Sequence, residues 1–373
     1  MRAAGAGSLR SRRLLALVTG MALVAGPALA GCGDPPPVHP GPITGPDGSD
    51  LFAGSGSVWH QPVPAGAAID PRSAEYVRQL MVSADDDKPR ERPVVSVNGF
   101  TVPVYEADAG TPRYRISIQP KDSFVAGGWT LPAVPIPDTA VPDSRDDGHL
   151  VVLDRTAGCV YELWRAVSDK GTWKAAWVNA TPTDGDGVYP DGLAARGTGL
   201  SAAAGLIWPQ ELAAGRIDHA LLFASPWTRR DAAVPPATTS DGRHGPDIAS
   251  LPAGARLRLD PSVDVDSLGL TPAQRTIAVA LQKYGMILGQ TSGSLSLYAA
   301  GPSSYLTFPY PPDWARSTWA AIDAIPFDRM QVLALPDPVR KPARVPVLNR
   351  CTQDAVHGEG VGPLTRASAA DSD

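Results

Sequence analysis

The stretch that decides the fold is His149-Leu150-Val151-Val152-Leu153-Asp154, followed after Arg155-Thr156-Ala157-Gly158 by Cys159-Val160-Tyr161-Glu162-Leu163-Trp164. Both halves are short and rich in β-branched and aromatic residues. The glycine between them suits the left-handed position of a hairpin turn. A four-residue turn sets His149 opposite Trp164 and Val151 opposite Glu162, so that His149, Glu162 and Trp164 share a face. A three-residue turn slips the register and puts His149 with Tyr161 and Cys159 instead. Both faces are largely apolar, so the pattern leaves this choice open.

Outward from the hairpin the strand signals repeat. Pro93–Val97, Phe100–Tyr105, Tyr114–Ile118, Thr172–Val178, Asp218–Phe223, Ala255–Leu259 and Ser294–Tyr298 are short runs bounded by Gly, Pro or Asp. Helices are few. Thr271-Pro272-Ala273-Gln274 is a capping box with proline at the first position, and that helix ends at Gly285. Shorter helices are expected over Pro209–Ala214 and Asp313–Ile325. Many short antiparallel strands with inserted helices predict an all-β domain over 59–337, a β-sandwich or jelly roll with a few short helices.

The N-terminus predicts where the chain goes. Arg10, Arg12 and Arg13 precede the apolar run from Leu14, which ends in Leu29-Ala30-Gly31-Cys32, and no acidic residue comes before Asp34. This is the pattern of an export signal over 1–31, and Leu29–Cys32 resembles the lipobox of bacterial lipoproteins. The run is short for a membrane span and is broken by Gly20, Gly26 and Pro27. Lipidation of Cys32 would anchor the protein to the outer face of the cytoplasmic membrane; Arg12-Arg13 also fits a twin-arginine route. Pro- and Gly-rich residues 32–58 predict a tether, and 338–373 a mostly disordered tail. Cys159 and Cys351 remain in an oxidising compartment, where a disulfide is the expectation over two separate thiols.

The net charge is −5, and loss of Arg2, Arg10, Arg12 and Arg13 with the signal makes it −9. So acidic a chain lacks the footprint of a nucleic-acid binder. Signatures of zinc proteases, serine hydrolases, phosphate-binding loops and paired-cysteine sites are missing, so no cofactor is expected. The candidates are polar groups at apolar strands: His149, Glu162 and His219 for acid–base work, with Asp147, Trp164 and Trp177 as ligand-binding groups. The structural alternative is a hydrogen-bonded core, with Glu162 paired to Arg256 or Arg258. Asp147, His149, Asp154 and Asp264 could converge on Ca²⁺, but no spacing demands it and no metal is expected. Trp173 and Trp177 read as one strand face, either a sugar platform or core.

Asp147–Asp154, Tyr161-Glu162-Leu163-Trp164, Gly215–Leu221, Gly254–Pro261, Ala280–Ile287 and Phe327–Leu333 together resemble a family of secreted proteins from high-GC Gram-positive and soil bacteria. The resemblance spans roughly Thr101 to Leu333 and departs at Gly289, where an acidic residue often stands, and in the loop Gly199–Gly205. It implies the fold and export, without a reaction. The expectation is therefore a lipid-anchored β-sandwich engaging polysaccharide of the envelope or surroundings. The alternatives are a glycoside hydrolase or polysaccharide lyase acting through His149, Glu162 and His219, or a structural or partner-binding lipoprotein.

Overall fold

The computed structural model describes residues 43–339, apart from 55, 86, 119–127, 170 and 190–193, together with 348–357. The hairpin closes with the four-residue turn: Leu150 pairs with Leu163, Val151 with Glu162 and Asp154 with Cys159. Asp154 selects this register. Its carboxylate accepts the Ala157 N–H at 2.9 Å and ion-pairs with Arg113 at 3.0 Å. Gly158 supplies the left-handed residue, at φ 64°.

Around this hairpin a four-stranded sheet runs in the order Val104–Ala107, Leu150–Asp154, Cys159–Trp164, Trp177–Pro182. A seven-stranded sheet runs Trp319–Ala321, Val94–Ser96, Ser296–Tyr298, Leu221–Ser225, Met286–Thr291, Arg256–Leu259, Met330–Val332. Alternation along these strands divides the core in two. Leu222, Ala224, Ile287 and Tyr298 face the smaller sheet and share one apolar cluster with Val151, Val160 and Leu163. Leu221, Phe223, Met286, Leu288 and Leu297 face the other way, into a cluster with helix α1 (Ser73–Leu80) and helix α3 (Pro272–Lys283). The protein is thus all-β in its layers, two facing sheets with a few short helices, of which α2 is Pro209–Ala214.

Among the described residues four strand pairs are parallel rather than antiparallel: Val94–Ser96 with Ser296–Tyr298, Leu221–Ser225 with Met286–Thr291, Val104–Ala107 with Leu150–Asp154, and Thr228–Ala233 with Leu251–Ala253. The crossover between Leu221–Ser225 and Met286–Thr291 contains α3. Its capping box is formed as expected, Thr271 and Gln274 exchanging hydrogen bonds. The helix expected over Asp313–Ile325 is replaced by a short 3-10 turn, Pro312–Arg316, and the edge strand Trp319–Ala321. Pairing with Val94–Ser96 overrides helical propensity there.

Cys159 and Cys351 form a disulfide, with Cα atoms 5.8 Å apart. Residues near Cys351 are docked rather than trailing: Asn349 bonds Ala180 O, and Val356–His357 pairs with Trp129–Thr130. The expected tether is also corrected in part. Leu51 and Phe52 are buried, Phe52 N–H bonds Thr183 O at 2.8 Å, and the Tyr305 hydroxyl bonds Pro46 O at 2.7 Å. Apolar side chains inside a polar, proline-rich stretch explain the docking. Cys32, the expected signal over 1–31, and residues 340–347 and 358–373 lie outside the described residues. No helix among the described residues is long and apolar enough to cross a membrane.

Candidate functional site

His149 and Glu162 come together as the four-residue register predicts, but inside the protein. His149 is 2% exposed and Glu162 fully buried. Glu162 accepts from the Ser201 hydroxyl and from Ala202 N–H, so its partners are the Gly199–Gly205 loop and not Arg256 or Arg258. Burial pushes its carboxyl pKa up, against these bonds and the charge of Arg196. His149 is pushed down to about 3, first by burial and then by Arg196, with Asp143 opposing. Its ring is neutral in the physiological range, and its Nδ1 has no hydrogen-bond partner.

Arg196, which sequence reasoning missed, is the hub of this cluster. It is fully buried and lies over the Tyr298 ring at 4.4 Å. It donates to Gln290 Oε1 at 2.7 Å and Ala202 O at 3.3 Å. It has no ion-pair partner within 4 Å among the described residues, and its Nε has no hydrogen-bond partner. Nothing local in Ala194-Ala195-Arg196-Gly197 announces this. The charge is placed by a loop that crosses between the sheets.

His219 stands elsewhere. Its Nε2 lies 3.1 Å from Glu211 Oε1, its Nδ1 bonds Ala220 O, and its ring meets His60 edge-on at 5.7 Å. Burial alone would lower its pKa; Glu211, helped by the Ala220 carbonyl and Asp218, more than offsets this, and the net shift is upward. Glu211 also accepts Trp208 N–H at the start of α2. The void beside this pair is about 10 Å³, too small for a ligand. The expected convergence of His149, Glu162 and His219 in one open groove is therefore corrected: two are sealed between the sheets, and the third is buried apart from them, paired with Glu211 of α2. Trp177 is core, 1% exposed, and Trp173 is buried on a separate strand. The four residues weighed for Ca²⁺ do not converge either, since Asp154 serves its turn and Asp264 caps a 3-10 helix.

The open site lies one layer in front of Arg196. Beyond the edge of the smaller sheet, a cleft of about 670 Å³ opens on the face of the seven-stranded sheet. Strand register builds its floor: Val94 pairs with Ser296 and Ala321, and Ser96 with Tyr298 and Trp319. Gln290, Thr291, Ser292, Ser294 and Ser317 add hydroxyl and amide groups, and Asp147 a carboxylate that accepts from Trp164 Nε1 at 3.4 Å. Asp147 thus lines the cleft, with Trp164 behind it rather than on its wall.

The cleft also carries an aromatic pair. Trp319 is 45% exposed and lies parallel to Phe100, interplanar angle 5° and centroids 6.3 Å apart. Phe100 has φ +54°, the left-handed region that a bulky residue adopts only under constraint. The constraint is Asp143, which accepts Phe100 N–H, Thr101 N–H, the Thr101 hydroxyl and Arg145 N–H at 3.0–3.1 Å. Arg145 in turn covers the Phe100 ring at 5.8 Å. The stack is held in place before any ligand arrives. Exposed Trp319 lies inside the stretch expected to be helical, which hid it from the sequence reading.

Compared with known proteins, the chain matches no family model, and neither a curated protein nor a solved structure matches it.

Proposed function

We propose that the protein is an exported lipoprotein, anchored through Cys32 at the outer face of the cytoplasmic membrane, that binds polysaccharide in the Trp319 cleft. The single observation that carries the binding reading is the composition of that cleft. A row of serine and threonine hydroxyls, an amide and a carboxylate lie beside a preset aromatic pair. Saccharides offer hydroxyls for the first set and C–H faces for the second. Cleft size agrees with a short oligosaccharide segment rather than a single ion or water cluster. The disulfide supports export, because such bridges persist in oxidising compartments.

Binding of the detergent-solubilised mature lipoprotein to immobilised polysaccharides tests the cleft. Trp319→Ala should weaken binding by about tenfold or more, as loss of an aromatic anchor does. Undiminished binding in that variant would move the site elsewhere, and no binding by the unaltered protein to any polysaccharide would favour a structural or partner-binding role. Cys32→Ala should leave uncleaved precursor or release the protein to the medium. Normal processing and membrane retention in that variant would remove the anchor reading.

A further inference from the structure

Among the described residues the buried Arg196 has no counter-ion in contact, and this bears on which saccharide the cleft takes. The inference rests on the cleft reading above. Removing an ion from water into a protein interior costs several kcal/mol unless partners compensate. Arg196 has five N–H donors, and only two appear in hydrogen bonds of good length, to Gln290 and Ala202. Glu162 and Asp147 both lie near enough to act on it, but the Glu162 oxygens are taken by Ser201 and Ala202, and neither carboxylate stands within ion-pair distance.

The bond to Gln290 has a directional consequence. A guanidinium only donates, so the Gln290 amide must turn its oxygen inward to Arg196. The amide nitrogen then points away from Arg196, and no partner holds it among the described residues. Gln290 lines the cleft. A cation behind an amide polarises it, strengthening the N–H on the far side as an acceptor-seeking donor. Lys88 and Arg92 line the same cleft beside Ser292 and Ser294. Of the carboxylates on the wall, Glu91 is buried and accepts Leu295 and Arg92 N–H groups. Asp147 opposes an anion near itself, which places an anionic group on the Gln290 side of Tyr298.

We infer that Gln290, oriented and polarised by Arg196, is a subsite for an acidic group, and that the cleft selects saccharides bearing a carboxylate, the uronic acids. Gln290 touches the ligand, and Arg196 is a positioning residue. A sugar phosphate shares this chemistry and serves as a separate arm of the test.

The experiment uses the mature lipoprotein in detergent and matched pairs of probes: oligomers of galacturonate, glucuronate and mannuronate, each beside its carboxyl-reduced neutral counterpart, with phosphorylated maltotetraose as a third arm. The acid member of at least one pair should bind about tenfold tighter, as a charge-assisted hydrogen bond allows, and more weakly at high salt. Gln290→Glu gives Arg196 a carboxylate in place of the amide oxygen, so melting temperature should hold or rise. The acid preference should nevertheless vanish, with the neutral counterpart bound as before. Arg196→Met should also erase the preference if it folds, and Gln290→Glu decides the matter if it does not. Equal binding of acid and reduced probes, or a preference that survives Gln290→Glu, overturns the inference and leaves the cleft reading standing. Tighter binding of the phosphorylated probe than of any uronate overturns the carboxylate assignment. No binding to any probe overturns both.

Discussion

His149 and His219 enter the fold alike and end in opposite electrical states. Each follows an aspartate closely, Asp147-Gly148-His149 and Asp218-His219, each leads an apolar strand, and each is buried. His149 meets the cation Arg196, and its pKa is driven down to about 3 by burial and that charge. His219 meets the anion Glu211, and its pKa is raised despite burial. The difference lies in the sign of the strongest charged neighbour that the tertiary fold delivers, Arg196 ahead of Asp143 at one ring and Glu211 ahead of Asp218 at the other. An imidazole in the interior is therefore no guide to acid–base function until its partner is known.

The largest effect that sharpens this contrast is at Glu162, the carboxylate behind Arg196. Glu162→Ala takes from buried Arg196 one of the two acidic groups that act on it, leaving only Asp147, and leaves Ala202 N–H unsatisfied. A loss of about 3–5 kcal/mol is expected, as when one partner of a buried charge network is removed. Chemical denaturation measures it. A loss under about 1 kcal/mol would mean that Arg196 is not compensated by Glu162, and the account of the cluster would need another anion.

Next in size is Glu211→Ala, which makes the His219 site resemble that of His149. It removes a charged hydrogen bond and the acceptor for Trp208 N–H, at a cost of about 2–3 kcal/mol. The sharper readout is the imidazole itself. Followed by NMR, the His219 pKa should move from above its ordinary value to below it, since burial is then opposed only by the two smallest contributions, the Ala220 carbonyl and Asp218. A pKa still raised in this variant would assign the shift to Asp218 or Ala220 O instead.

Much of the fold was legible because it depends on local pattern. The hairpin, the capping box of α3 and most strands follow from period-two runs, glycine turns and caps. The Met286–Thr291 strand was missed, although Met286-Ile287-Leu288 follows the helix-ending Gly285. A three-residue apolar run carries no alternation from which to infer a strand. Helix α1 was missed too, for want of a capping side chain at Arg72. The candidate site was legible only in part. Asp147 was found because it sits beside the hairpin. Gln290, Arg196, Phe100 and Trp319 come from four distant segments that meet through sheet register and a crossing loop, and no spacing in the chain encodes that meeting. His149 and Glu162 share a face in only one of the two registers the sequence leaves open, the one that forms, and whether that face meets water depends on the second sheet, which periodicity within one hairpin cannot reveal.

The smallest effect at neutral pH, and the most informative about the contrast, is His149→Leu. The native ring is uncharged there and its Nδ1 is unpartnered, so replacing it by an apolar side chain removes little more than one hydrogen bond to the Leu163 backbone. The cost should be about 1 kcal/mol or less at pH 7. Acid reveals the difference. The unfolded chain protonates His149 below the ordinary imidazole value of 6.5, whereas the folded chain resists until about pH 3. Across that window the unfolded state holds more protons, so stability is lost as the pH is lowered, by about 1.4 kcal/mol per unit from this group alone. His149→Leu should flatten that acid limb. His219 has the reverse sign: its raised folded pKa adds stability that is present below 6.5 and is lost as pH rises through the folded value. His219→Leu should therefore leave the acid limb as steep as before and weaken the protein most below pH 6.5. Denaturation curves for both variants from pH 3 to 9 provide the check, and parallel pH profiles would show that the two imidazoles do not differ in charge after all.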